Sequence, residues 1–172
     1  MSEWPAGEPE KLTAGHETGE FSSGADELDE WLRERALKGQ EVGNASVFVI
    51  AKEQRVLGYY ALASAGVEPR DVPGKVRRNA PSPVPILLLA RLAVSQHAHG
   101  RGLGRLLLRD AMLRAIRVSE DIGFRALLIH CRDESARDFY WSVVPQFMDS
   151  PTEPLHLLLP LTALVAAAES SA

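Results

Sequence analysis

The chain is short of the features that most often announce chemistry. Its 172 residues hold one cysteine, Cys131, which excludes an internal disulfide and fits a reducing compartment, so a cytoplasmic location is expected. A bystander at a strand end is the expected role of that thiol, rather than a nucleophile. No His/Cys cluster has the spacing of zinc ligands, so no metal is expected. No stretch nears the ~20 apolar residues of a membrane span. The start, Met1-Ser2-Glu3-Trp4-Pro5, lacks the basic patch and apolar core of a signal peptide, and none is expected. There is no internal repeat.

What is present is ordinary in bulk and uneven in detail. Apolar content of 45% and charged content of 24% suit a globular protein, and the length suits one domain with one core. The net charge of −4 hides a split: residues 1–34 hold ten acidic and two basic side chains, residues 70–117 ten basic and two acidic. Overall acidity argues against a general nucleic-acid binder, while a basic face fits a polyanion. A solvated helix face accounts for Arg109, Arg114 and Arg117.

The pattern predicts the following elements. Residues 1–11 read as a frayed arm and 11–17 as a short strand. Ser23-Gly24-Ala25-Asp26 has capping-box spacing, opening a helix that runs to about Lys38 with Gly39 as its stop. Ser46 to Ala51 and Val56 to Ala65 read as strands joined by the turn Lys52-Glu53-Gln54-Arg55. Residues 66–85 form a long connection with five prolines and the cations Arg70, Lys75, Arg77 and Arg78, and Pro81, Pro83 and Pro85 favour extended backbone at its end. A strand at Arg125 to Cys131, a helix from Glu134 to about Trp141 and a strand at Leu155 to Leu161 follow, then a mobile tail from Ala163.

The chain is organised around residues 86–106. The apolar run Ile86 to Val94 suits a buried strand, because a glycine-rich break follows at once. Gly100, Gly102 and Gly104 come next, then an apolar-periodic helix from Leu103 to about Ile122, with Leu107, Ala111, Ala115 and Val118 on its core stripe. A strand, a glycine turn and a helix N-terminus make an anion site, since free N–H groups and the helix dipole point at the turn. The spacing is neither that of a dinucleotide fold nor that of a P-loop.

This loop, His99-Gly100-Arg101-Gly102-Leu103-Gly104 followed by Arg105, resembles the pyrophosphate loop of the GCN5-related N-acetyltransferases (GNATs), Arg/Gln-x-x-Gly-x-Gly/Ala. His99 departs from the first position. The resemblance implies an α/β (mixed α+β) GNAT fold: a central, mostly antiparallel sheet, splayed at the acetyl-CoA site and flanked by helices. The domain would span 1–162, with a tail at 163–172. A narrower likeness, to the acetyltransferase toxins of type II toxin–antitoxin systems that acetylate aminoacyl-tRNA, is carried by Leu28 to Leu32, Gly58 to Leu62, Arg77-Arg78, Leu89 to Val94, Phe139-Tyr140 and Pro154 to Leu161.

That likeness implies acetyl transfer from acetyl-CoA to the α-amine of aminoacyl-tRNA, blocking translation. The partners it implies are charged tRNA, a DNA-binding antitoxin and a second copy in a homodimer. Acetyl-CoA would be bound by Leu92, Ala93, Val94, His99, Gly100, Arg101, Gly102, Leu103, Gly104, Arg105, Asp133 and Phe139. The strands around Leu92–Val94 and Leu128–His130 would splay around the pantetheine arm, and a strand N–H at Leu92 or Val94 would polarise the thioester carbonyl. Tyr140 stands where the family's general acid stands. Lys75, Arg77, Arg78 and Arg91 would meet the tRNA. No carboxylate presents itself as a base, and an α-amine of pKa about 8 needs less help than a lysine. Trp141 to Phe147 departs from the family, being longer and without a Gly-Phe pair, so the wall beside the thioester is expected to be reshaped. A GNAT acting on a small-molecule or protein amine, and a non-catalytic binding module, are the competing readings.

Overall fold

The computed structural model describes residues 7–170. Its elements in chain order are β1 (Glu10–Lys11), α1 (Asp26–Glu34), α2 (Ala36–Glu41), β2 (Ser46–Lys52), β3 (Arg55–Val67), α3 (Gly74–Arg77), β4 (Val84–Val94), α4 (Leu103–Ser119), β5 (Ala126–His130), α5 (Glu134–Val143), β6 (Met148–Asp149), β7 (His156–Pro160) and α6 (Leu161–Ser170). Seven strands form a sheet of order β1-β2-β3-β4-β5-β7-β6. The β4–β5 pair is parallel, while β1–β2, β2–β3, β5–β7 and β6–β7 are antiparallel. The expected mixed, mostly antiparallel α+β architecture is therefore present.

The residues group into two compact units. One holds the chain up to Ala63 together with Ala90–Ala111, the other Ser64–Leu89 and the chain from Met112. In the first, Phe21, Leu32, Val47, Val49, Val56 and Tyr59 form a buried cluster against which Leu28 and Trp31 pack. Tyr59 is edge-on to Phe21, stacks on Trp31 and donates its hydroxyl to the Leu28 carbonyl at 2.8 Å. In the second unit, Val72, Val76, Val84, Ile86, Leu128 and Leu158 form a cluster.

The single expected helix over 26–38 is two helices. Arg35 leaves helical geometry at φ −127°, and Gly39 lies inside α2 rather than ending it. The tertiary contact that favours the break is Gln40, whose amide donates to Leu12 O at 2.9 Å and accepts from Val47 N–H at 2.8 Å. The true stop is Gly43, at φ +87°, with Asn44 N–H bonded to Gly39 O and Gly43 N–H to Gln40 O, a Schellman closure. The capping box is not formed either: the N-cap residue is Ala25, and the Ser23 hydroxyl bonds Asp29 instead.

Three further differences concern the ends and the connection. Residues 10–11 of the expected arm are a strand paired to β2 (1–6 lie outside the described residues), and no strand continues beyond Lys11. The first part of the connection carries helical turns of its own: Pro69–Asp71 is a 3-10 turn and Gly74–Arg77 is helical, with Pro73 as its N-cap. The expected mobile tail is helix α6, because Leu164, Ala167 and Ala168 share one face and are buried. Residues 171–172 of that tail lie outside the described residues.

Candidate active site

The glycine loop is built as its sequence requires. After β4 a 3-10 turn, Gln96–Ala98, leads to Gly100 at φ +79° and Gly102 at φ +77°. Both angles lie where a Cβ is unfavourable. A Cβ placed on either glycine would meet no atom of the described residues within 4 Å, its chain neighbours aside, so the space over the loop is open. Gly104 does not need a positive φ; it lies in the first turn of α4, which begins at Leu103. The first hydrogen bond outside the helix ladder here runs from Leu106 N–H to Gly102 O at 3.0 Å, and the donors of a helix's first turn have no intrahelical acceptor. A 17-residue helix opening on an open glycine turn, with Arg101 and Arg105 exposed beside it, suits a pyrophosphate.

His99, the departure from the motif, has a structural use. Its Nε2 lies 2.8 Å from the Val94 carbonyl. A carbonyl only accepts, so the proton is on Nε2 and the ring staples the loop to the end of β4. The base of the loop is held further by Ser95 N–H to Leu57 O at 2.8 Å and Gln96 N–H to Ser22 O at 2.7 Å. Gly58 lets α4 approach: a Cβ there would sit 2.8 Å from Leu107 Cδ1 and 3.3 Å from the Ala93 carbonyl. Ala93 is buried and Leu92 and Val94 are half-buried.

In the other unit, α5 starts at Asp133, whose carboxylate accepts from Ala136 N–H at 2.8 Å. Asp133 is thus a helix cap here. Phe139 is half-buried and edge-on to Tyr140 at 5.3 Å. Tyr140 is 7% exposed and edge-on to Phe147 at 6.4 Å. Burial raises the Tyr140 pKa well above the usual phenol value, and the Cys131 thiol adds to the rise. Burial also pushes the Cys131 thiol up to about 11, against the Arg137 charge. A thiol so firmly protonated is no nucleophile at neutral pH. Trp141 to Phe147 forms the end of α5 and a closed turn, with Trp141 Nε1 donating to Phe147 O at 2.9 Å.

A cavity of about 660 Å³ opens nearby, lined by His130, Cys131, Asp133, Glu134, Glu153 and His156 among others. Pattern reading missed it, because β6 and the loop after it carry no periodic signal. His130 and His156, paired across β5 and β7, stack at 4.0 Å. Burial and then the neighbouring His156 hold the His130 pKa below its usual value, with Glu153 opposing.

The candidate tRNA cations divide. Lys75, Arg77 and Arg78 are exposed. Arg77 Nη1 donates to Val72 O at 2.6 Å, and neither Arg77 nor Arg78 forms an ion pair among the described residues. Arg91 is half-buried, with its guanidinium 4.3 Å over the Trp31 ring. Among the described residues no group of three or more His, Cys, Asp and Glu could hold a metal, and no helix is long and apolar enough to cross a membrane.

Comparison with known proteins gives this geometry its context. The acetyltransferase (GNAT) domain profile matches residues 43–143. The tRNA-acetylating toxin of Mycobacterium tuberculosis is 48% identical over 151 residues, 88% of this chain and 90% of that protein. The probable toxin TacT of Sinorhizobium fredii is 25% identical over 158 residues, 87% of each chain. Among solved structures, AtaT complexed with acetyl-methionyl-tRNAfMet matches with a TM-score of 0.82 at 23% identity, covering 92% of this chain and 96% of that one. A tyrosine-to-phenylalanine mutant of KacT matches with a TM-score of 0.83 at 21% identity, over the same shares. These two structures show a shared fold. The chain belongs to the GNAT acetyltransferase family.

Proposed function

We propose that this protein transfers acetyl from acetyl-CoA to the α-amine of aminoacyl-tRNA and so stops translation, as the toxin of a pair whose other member is a DNA-binding antitoxin. The observation that carries this is the 48% identity to a tRNA-acetylating toxin across nearly the full length of both chains. A homodimer in the cytoplasm is part of the same reading.

The roles are assigned residue by residue. Gly100 to Arg105 bind the pyrophosphate through backbone N–H groups and the α4 dipole, with Arg101 and Arg105 adding charge. His99 shapes the loop rather than contacting phosphate. The N–H of Leu92 or Val94 polarises the acyl carbonyl, and Ala93 keeps the strand flush. Tyr140 gives its proton to the departing thiolate; its burial keeps the hydroxyl in the acid form. Phe139 lines the acyl arm, and Asp133 orients the start of α5. The cavity beside His130 and Glu153 has the volume of a small-ligand site and holds the aminoacyl end. An imidazole kept neutral there can take the proton of the amine as it loses it. Lys75, Arg77 and Arg78 meet tRNA phosphates. Arg91, committed to Trp31, contributes at most through its outer edge.

The test is incubation of the protein with labelled acetyl-CoA and a set of charged tRNAs, then mass spectrometry of the aminoacyl end. Acetyl on the α-amine is the expected result. Label found only on free amines or on protein lysines would move the assignment to another GNAT substrate class.

A further inference from the structure

Asp29 is a buried carboxylate, 4% exposed, on α1 in the first unit. None of the roles above uses it. It accepts the Ser23 N–H at 3.0 and 3.1 Å and the Ser23 hydroxyl at 2.6 Å. A carboxylate early in a helix is also favoured by the helix dipole. Its partner segment is not idle. The Ser22 carbonyl, one residue back, accepts the Gln96 N–H at 2.7 Å and the hydroxyl of fully buried Ser95 at 3.4 Å. One residue forward, Gly24 sits at φ +98°, where a Cβ would lie 2.9 Å from Gln96 Nε2. Ser22 to Gly24 is therefore pressed against the first residues after β4, the entry to the glycine loop.

We propose that Asp29 is a positioning residue for acetyl-CoA: it fixes Ser22 to Gly24, and that segment fixes Ser95–Gln96 and so the set of the loop that takes the pyrophosphate. The inference rests on the loop assignment proposed above. Phosphate contacts lie far from the acyl carbon, so loosening the loop removes binding that ground state and transition state share. That raises KM and leaves kcat alone. Small displacements of a preorganised site are costly, so a rise of about 10-fold is expected.

The experiment compares Asp29→Ala, Asp29→Asn, Ser95→Ala and Gly102→Ala in the full chain. Each is checked for folding by circular dichroism, then measured for KM and kcat with acetyl-CoA and for exchange of the Gln96 amide. Asp29→Ala should raise KM about 10-fold with kcat within about 2-fold, and should deprotect Gln96. Asp29→Asn keeps one acceptor oxygen and should fall between it and wild type. Folded Asp29→Ala with unchanged KM overturns the proposal. If Asp29→Ala does not fold, Asp29→Asn and Ser95→Ala decide: a raised KM in both supports it, and wild-type KM in both overturns it. Gly102→Ala separates this failure from that of the loop assignment. If it alone raises KM, the loop reading stands and the Asp29 role is refuted; if it too leaves KM unchanged, the loop reading falls and takes this inference with it.

Discussion

Tyr140→Phe separates catalysis from packing, because it removes the hydroxyl and keeps the ring. The side chain is 7% exposed, and the ring contacts to Phe139 and Phe147 remain in the variant. Stability should therefore change by less than about 1 kcal/mol, a melting shift of at most about 4 °C. If the hydroxyl protonates the thiolate, turnover should fall about 10²-fold, which corresponds to about 2.7 kcal/mol of barrier. Tyr59→Phe is the control with the opposite signature. It loses the bond to the Leu28 carbonyl, so it should cost about 1 kcal/mol and leave turnover within about 2-fold. The assays are denaturant unfolding and initial rates with charged tRNA and acetyl-CoA. The pH profile adds a check. The rate should rise as an α-amine of pKa about 8 deprotonates. Since burial raises the Tyr140 pKa, its acid form persists into alkaline solution and no fall by pH 10 should trace to it. A Phe variant that is less stable but turns over like wild type would refute the proton-donor role.

Other expectations follow from single contacts. Gly102→Ala should cost about 1–2 kcal/mol of stability from its positive φ and weaken acetyl-CoA binding measured by calorimetry, since the added methyl enters space the protein leaves open. Arg77→Ala with Arg78→Ala should weaken all charged tRNAs alike and flatten the salt slope by about one unit per lost phosphate contact, with acetyl-CoA affinity unchanged; an unaltered slope would argue for a small-molecule or protein amine. His130 titrates below the usual histidine value, so as pH falls below about 6.5 the unfolded chain binds its proton first and stability is lost with acid. Removing the neighbouring ring with His156→Asn should make that loss below about pH 6.5 shallower in denaturant titrations.

Much of the fold was legible because its signals are local. The run Ile86 to Val94 is apolar and is followed by a polar bridge and a glycine turn, which suits a strand better than a helix, and it lies within β4. The hairpin follows from two apolar runs flanking the polar stretch Lys52 to Arg55, and the turn itself is Glu53-Gln54, two non-glycine residues at φ 54° and 71°. What was illegible depends on partners distant in sequence. Nothing around Arg35 announces a break; Gln40 reaching Leu12 and Val47 makes it worthwhile. The α6 helix reads as a tail because alanine is apolar without being diagnostic, and only its burial reveals it. The short helix α3 after Pro73 was not legible either, since four residues carry no periodic signal.

The candidate site divides along the same line. A tight turn spells its geometry in glycines, so Gly100, Gly102 and Gly104 stood out together in the sequence, while only the structure separates the first two, at positive φ, from Gly104 in the first turn of α4. Even His99, which breaks the motif, sits where its ring closes on the Val94 carbonyl. A side chain that works through other side chains leaves no such trace. Asp29 looked like one of many acids on α1, and its partner looked like a cap waiting for Asp26. Only the sharp turn at Gly24 brings Ser23 back over the helix to Asp29, and only then does an acidic helix far from the loop in sequence become part of what holds the loop in shape. Residues of this kind should be sought wherever a buried carboxylate is hydrogen-bonded to a segment that itself donates or accepts at a glycine loop, since burying such a group is costly unless its hydrogen bonds are made.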